Sequence, residues 1–264
     1  MIVAQITDTH ISQPDGEPEQ RFRTSAHLGR AVAHLNALTP APDVVIVTGD
    51  LVDAGSPEEY RRLRALLAPL AAPVYLIPGN HDEREALRAA FADGGYFPSE
   101  GFLQYTVEDW PLRLVALDTY LPGQVGGLLC EERVAWLAAR LEEQPERPTL
   151  ILLHHPPLAS GVRRMDAWGL ENAEALGAVV ARHPQIERIV CGHLHRPITW
   201  RWHGTVVSTC PATAHQIALD LNPAAEQINL VMEPPCCQLH VWTPELGLVT
   251  HTSYIGQFPA EPET

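Results

Sequence analysis

The sequence predicts an α/β fold with two sheets packed face to face and helices outside both. Two observations carry the prediction. Strand-like and helix-like segments alternate over residues 2–91, the order that lays helices on a sheet with parallel strands. After residue 100 the chain reads as a hairpin and then alternates strand and helix again, which is material for a second sheet.

Residues 2–7 (IVAQIT) have the short apolar pattern of a buried strand. Residues 21–38 place Leu28, Ala31, Val32, Leu35 and Leu38 at helical spacing. Residues 43–49 (DVVIVTG) are a β-branched run closed by glycine. Residues 56–70 open with Ser-Pro and carry acids in the first turn, a helix start. Residues 73–80 predict a strand ending in a turn, and 82–91 a helix. Residues 102–109 and 112–119 flank Trp110-Pro111 as a hairpin. Helices follow at 130–144 and 171–184, with strands at 148–155 and 186–192. Beyond residue 197 short strands dominate: 198–202, 205–210, 227–232 and 236–242, with a turn at His203-Gly204. The end, FPAEPET, reads as a loose tail. With no internal repeat or flexible linker, residues 1–264 are expected to form a single domain. Residues 197–255 are expected to be a strand-rich cap or oligomerisation embellishment.

Composition narrows the function. The 264 residues are 45% hydrophobic, as in ordinary globular proteins. The formal charge is −14, and all 18 basic residues are arginine. An acidic chain does not suit a long polyanion, so no nucleic acid polymer is expected as partner. An arginine-only basic set fits a GC-rich bacterial genome. The five cysteines are odd in number and contain no Cys-x-x-Cys. They suit reduced thiols and a cytoplasmic location better than a disulfide framework. The N-terminus lacks the charged and apolar regions of a signal peptide, and no apolar run approaches a membrane span.

The chemistry collects at strand ends. Five strand-like runs finish in Asp8-Thr9-His10, Gly49-Asp50, Gly79-Asn80-His81-Asp82, His154-His155 and Gly192-His193-Leu194-His195. In open α/β sheets, ligands sit outside the carboxyl ends of the strands. Glycine there is expected to let the backbone turn sharply and expose the next side chain. Each piece alone has a plain reading. Asp8 and Asp50 could be caps, Asn80 a left-handed turn residue, and His154 a core histidine. Five strand ends each finishing in a metal-type ligand is a different matter.

In order, "DTH", "GDLVD", "GNHD", "HHPP" and "GHLH" resemble the signature of the calcineurin-like metallophosphoesterases. "LIPGNHD" and "LLHHPPL" resemble their class III branch of cyclic-nucleotide and glycerophosphodiester phosphodiesterases. Similarity continues through "STCPATAHQ" (208–216). The resemblance implies a four-layer α/β/β/α sandwich with two mixed sheets and a dinuclear metal centre at strand ends. It implies that Asp8, His10, Asp50 and His195 hold one metal, and Asp50, Asn80, His154 and His193 the other, with Asp50 bridging. Manganese, iron, cobalt or zinc would suit such mixed ligands. His81 is implied as the group that contacts phosphate or protonates the leaving alkoxide, and His215 is a second candidate; a structural strand histidine is the competing reading of His215. Asp53 is either an outer support or a loop residue, and His155 an orienting group. Arg163 and Arg164 could meet phosphate or simply be solvated.

The ligand set suits phosphodiester hydrolysis. Two divalent ions bring about +4, two aspartates −2 and a bridging hydroxide −1, leaving the centre near +1. An anionic ester is therefore attracted despite the acidic surface. The expected reaction is direct in-line attack of hydroxide on phosphorus. Small diesters, either 3′,5′-cyclic nucleotides or glycerophosphodiesters, are the expected substrates. A phosphomonoesterase or protein phosphatase on the same centre is the alternative, and a non-catalytic scaffold a third. A homo-oligomer is expected from the resemblance.

Overall fold

A computed structural model describes residues 1–259. The first half alternates strand and helix. β1 (Ile2–Ile6) leads to α1 (Glu17–Phe22) and α2 (Thr24–Ala37). Then come β2 (Val44–Thr48), α3 (Pro57–Leu67), β3 (Val74–Ile77) and α4 (Arg84–Ala90). β4 (Tyr105–Val107) and β5 (Arg113–Ala116) form the expected hairpin, followed by β6 (Gly127–Leu128) and α5 (Glu131–Glu143). β7 (Thr149–Leu152), α6 (Arg163–Asp166), β8 (Leu170–Glu171), α7 (Ala173–Val180) and β9 (Ile186–Cys191) complete the alternation. Six further strands close the chain: β10 (Ile198–Trp202), β11 (Thr205–Thr209), β12 (Gln216–Ile217), β13 (Leu230–Val231), β14 (Cys236–Thr243) and β15 (Gly247–Tyr254).

One sheet has the order β15-β14-β1-β2-β3 and the other β10-β11-β9-β7-β5-β4. Both are mixed. β1, β2 and β3 run parallel, while β14 is antiparallel to β1. β5, β7, β9 and β11 run parallel, flanked by antiparallel β4 and β10.

Successive strand residues face opposite sides, and the burial shows the layers directly. On β2, Val45 and Val47 pack with Leu28 and Leu35 of α2 and Leu63 of α3. The alternate residues Val44 and Ile46 pack on Leu114, Leu150 and Leu152 of the other sheet. There, Val115 and Ile151 face Leu137 of α5 and Leu176 of α7. Apolar faces on both sides of each sheet give four layers, α/β/β/α.

Of residues 197–255, β10 and β11 extend the second sheet, and β14 and β15 extend the first. Only the small β12–β13 pair stands apart from both. Such pairings span most of the chain, as in Val3 opposite His240, so local periodicity could not assign them. The expected helix at 21–38 is two helices, broken at Arg23 in the left-handed region (φ 54°). The carboxylate of Glu19 accepts from the Ser25 amide (2.9 Å) and Thr24 Oγ1 (3.1 Å), holding that corner. α3 keeps the expected start as a reciprocal capping box between Ser56 and Glu59. Residues 260–264 of the expected tail lie outside the described residues. Among the described residues no helix is long and apolar enough to cross a membrane.

Candidate metal centre

β1, β2 and β3 end beside the ends of β7 and β9, so loops from both sheets meet. Their closing residues are the seven candidate ligands. Five of them have positive φ: Asp8 (50°), His10 (42°), Asp50 (48°), His193 (68°) and His195 (48°). Non-glycine residues seldom adopt this region, and such strain concentrates at functional sites. Cross-links between loops hold it in place. The Asp8 amide donates to the Gly49 carbonyl (3.0 Å), and the His10 amide to the Asp50 carbonyl (3.0 Å). The Leu194 amide donates to the Gly192 carbonyl (2.8 Å), closing a tight three-residue γ-turn on His193.

The expectation that glycine itself makes the turns is corrected at two of the three ends. Gly49 has φ +90°, but Gly79 and Gly192 do not have positive φ; they are there for space. A Cβ on Gly192 would lie 2.2 Å from Thr7 Oγ1 and 2.9 Å from Asp8 Oδ2. One on Gly79 would lie 2.3 Å from the Asp50 amide and Oδ1. β9 ends at Cys191, and the left-handed residues that follow are His193 and His195 rather than Gly192.

The side chains converge as two overlapping groups. Donor atoms of Asp8, His10, Asp50 and His195 all lie within 4.8 Å of one another. His195 Nε2 is 3.3 Å from Asp8 Oδ1 and 3.2 Å from His10 Nε2. In the neighbouring group, His154 Nε2 lies 3.4 Å from Asp50 Oδ2 and 3.3 Å from Asn80 Oδ1. His193 Nδ1 is 3.1 Å from the same Asn80 oxygen. Asp50 belongs to both groups, and all these residues except Asn80 are buried.

The outer nitrogens test whether the set fits a cation. His154 Nδ1 donates to the Thr48 carbonyl (2.8 Å), His193 Nε2 to the Trp168 carbonyl (3.0 Å) and His195 Nδ1 to the His215 carbonyl (3.0 Å). Each ring's N–H is thus held outward and its lone pair turned inward, as metal-ligating histidines require. The inner nitrogens then face carboxylate and amide oxygens, acceptor against acceptor. A shared cation turns that repulsion into ligation, so the residues fit a pair of metal ions.

Burial alone would lower the His154 pKa, but the Asp50 carboxylate outweighs it and lifts it to about 9. Burial, with His154 next to it, takes His193 down to about 3. Burial works to raise Asp50, yet His154 and His81 hold its carboxyl well below the usual range.

His81 and His215 line the cavity above the two groups. The His81 amide donates to Asp50 Oδ1 (2.9 Å) and its Nδ1 to the Asp53 carbonyl (2.7 Å). Its Nε2 is left for the cavity. Burial disfavours its charge, but Asp50 outweighs burial and raises its pKa. The Asp53 carboxylate lies 3.6 Å from His81 Nδ1 and 3.8 Å from His10 Nδ1. His215 stacks on Phe22 with ring centroids 4.3 Å apart, and lies 5.0 Å from His195. Its Nδ1 has no partner among the described residues, and burial, with His195 and His10 nearby, pushes its pKa down to about 2. His155 packs on His154 and His193, with a ring nitrogen within 4.8 Å of theirs, and is held by Thr119 Oγ1 (2.8 Å) and the Val125 carbonyl (3.0 Å). Arg163 and Arg164 are engaged outside the ligand cluster. The first bonds the Pro223 carbonyl, and the second lies 4.7 Å over the Trp168 ring.

Sequence reasoning passed over Asp82. Its buried carboxylate accepts from the Gly79 amide (2.8 Å), the Leu51 amide (3.1 Å) and Tyr60 Oη (2.9 Å). It ties together the two loops that carry Asp50 and Asn80. The signal was its place as the last residue of "GNHD".

Residues 1–197 match the calcineurin-like phosphoesterase family. The chain is 40% identical over 259 residues to a probable glycerophosphodiester phosphodiesterase, GpdQ, of Arcobacter nitrofigilis, covering 98% of this chain and 94% of that protein. It is 32% identical over 214 residues to the 3′,5′-cyclic adenosine monophosphate phosphodiesterase CpdA of Escherichia coli (strain K12), covering 81% of this chain and 76% of that one. Among solved structures, a dimetal phosphatase from Danio rerio has the same fold, with a TM-score of 0.64 at 16% identity, covering 97% of this chain and 99% of that one. The chain belongs to the calcineurin-like phosphoesterase family.

Proposed function

We propose that this chain hydrolyses small phosphate diesters, such as glycerophosphodiesters or 3′,5′-cyclic nucleotides, at a pair of metal ions. The observation that carries the reading is the set of inward lone pairs on His154, His193 and His195 against the oxygens of Asp8, Asp50 and Asn80. The GpdQ and CpdA relatives supply the reaction class.

Asp8, His10, Asp50 and His195 would hold one ion. Asp50, Asn80, His154 and His193 would hold the other, and manganese, iron, cobalt or zinc suits both. When bound, the pair supplies Lewis acidity and a hydroxide nucleophile at neutral pH. The protein's own groups do the rest. Water oxygen bonds to phosphorus, the bond to the leaving alcohol breaks, and His81 delivers a proton from Nε2 to the departing alkoxide. Its Nδ1, fixed on the Asp53 carbonyl, aims the ring. His215, held neutral in the same cavity, suits a hydrogen bond to a substrate oxygen better than proton delivery. The five free cysteines, four of them buried, support a reducing, cytoplasmic setting. A homo-oligomer remains part of this reading.

The test is turnover of bis(p-nitrophenyl) phosphate and p-nitrophenyl phosphate after chelation and reloading with manganese or cobalt. Metal-dependent turnover with the diester faster is expected. A faster monoester would favour a monoesterase. Two bound metals with neither substrate turned over would indicate a scaffold. A screen of cyclic AMP, cyclic GMP, glycerophosphocholine and glycerophosphoethanolamine then ranks the natural esters.

A further inference from the structure

The cavity above the candidate ligands has a volume of about 250 Å³. Its floor is the histidine and aspartate cluster. Its walls are mostly apolar, with Phe22, Met165, Trp168, Ile228 and Leu230, and Glu17 among them. Among the described residues no arginine lines it; Arg21 and Arg164 lie against the Phe22 and Trp168 rings, and Arg163 and Arg196 bond the Pro223 and Ile217 carbonyls.

The apolar wall is built onto the ligand frame. Leu194, between His193 and His195, is buried in a cluster with Val162, Met165 and Ile217, against which Trp168 and Ile228 pack. The wall therefore stands at a fixed distance from the phosphate position. It also continues outward. Leu230 and Met232, on and just after β13, are exposed, and Leu219 and Leu221 on the connection from β12 are 59% and 61% exposed. Val125 is exposed on the facing loop and lines the cavity too. Five of the nine exposed large apolar residues of the described chain thus lie on or beside this mouth.

The geometry points to a subsite for an apolar arm: the centre takes phosphodiesters in which one alcohol carries an alkyl or acyl chain. This inference rests on the phosphodiesterase reading above. The occupant is a single-chain amphiphile from solution rather than a lipid in a bilayer, because a chain of charge −14 is repelled by anionic membranes. The phosphate sits over the histidines and the chain lies along Trp168, Ile228 and Leu230 toward the exposed rim. Each methylene that leaves water on that wall adds up to about fourfold in kcat/KM.

The experiment uses metal-loaded full-length protein and p-nitrophenyl phosphodiesters with methyl, butyl and octyl second arms. Water oxygen adds to phosphorus, p-nitrophenolate leaves, and the alkyl arm remains on the product. kcat/KM should rise at least 30-fold from methyl to octyl. Calorimetry with methyl-, butyl- and octylphosphonate should show the same order in Kd, whether or not the esters are turned over. Leu230→Asp should flatten both series. Leu246→Asp, on the far turn before β15 and 71% exposed, should leave both slopes intact. Flat series with the native protein overturn the inference. Turnover of bis(p-nitrophenyl) phosphate in the same preparation then shows that the phosphodiesterase reading survives.

Discussion

Replacing Gly79 by alanine alters no candidate ligand, yet it should disable the metal centre. The added methyl carbon would lie 2.3 Å from the amide nitrogen and Oδ1 of Asp50 and 2.8 Å from His154 Nε2. Ordinary contact begins near 3.4 Å, so Asp50 must shift by about 1 Å. The obstacles are a backbone amide, pinned by its own loop, and two buried side chains. Metal bonds tolerate deviations of only about 0.2 Å. Misplacement by 1 Å costs about 10²-fold in the function it serves. The variant should therefore bind metal at the Asn80–His154–His193 group at least about 10²-fold more weakly. Overpacking should cost about 1–3 kcal/mol, or about 2–12 °C in Tm at this size. The assay is metal content by mass spectrometry after dialysis against graded metal, with circular dichroism confirming the fold. A Gly79→Ala protein that keeps two ions at native affinity would refute the packing argument.

Three further predictions follow from other parts of the molecule. His81→Ala should lower kcat by about 10²–10⁴-fold on diesters with an alkyl leaving group, and much less on p-nitrophenyl esters, whose leaving group needs no proton; equal losses on both would remove His81 from proton delivery. Asp82→Ala strips the acceptor from two amides and a tyrosine hydroxyl; it should cost about 2–4 kcal/mol in denaturant melts and weaken metal binding about 10–100-fold. Burial, with Arg188 adding to it, depresses the His240 pKa to about 3. Its ring stays neutral in the fold, with Nε2 toward Gln5 Oε1 (3.1 Å) and Nδ1 toward Thr250 Oγ1 (2.8 Å). The unfolded chain takes up that proton below about pH 6.5 and the folded one does not, so the stabilisation is full above pH 6.5 and lost as pH falls. Between pH 7 and 5 the native protein should lose about 2 kcal/mol more than His240→Gln; equal losses would contradict the assignment.

The sequence made the ligand positions legible because strand ends announce themselves. A β-branched run closed by a polar ligand needs no knowledge of the partner strands. Helix faces such as Leu28, Val32 and Leu35 were legible for a similar reason, since periodicity is local. What was not legible depends on distance through space. Gly79 and Gly192 looked like turn residues, but their reason is the approach of Asp50 and Thr7 from other loops. The Trp168 carbonyl that orients His193 lies 25 residues away in a segment that reads as a rim loop. The place of Arg163 and Arg164 after "HHPPL" left phosphate contact and simple solvation both open, and neither reading anticipated that Pro223 and Trp168 occupy them. Strands beyond residue 197 announced their type but not which sheet each would join.

The most direct test of the account is anomalous diffraction from crystals of the full chain loaded with manganese. It predicts two peaks about 3.5–4 Å apart, one among Asp8, His10, Asp50 and His195, the other among Asp50, Asn80, His154 and His193. A single peak, or two ions held by other residues, would contradict it.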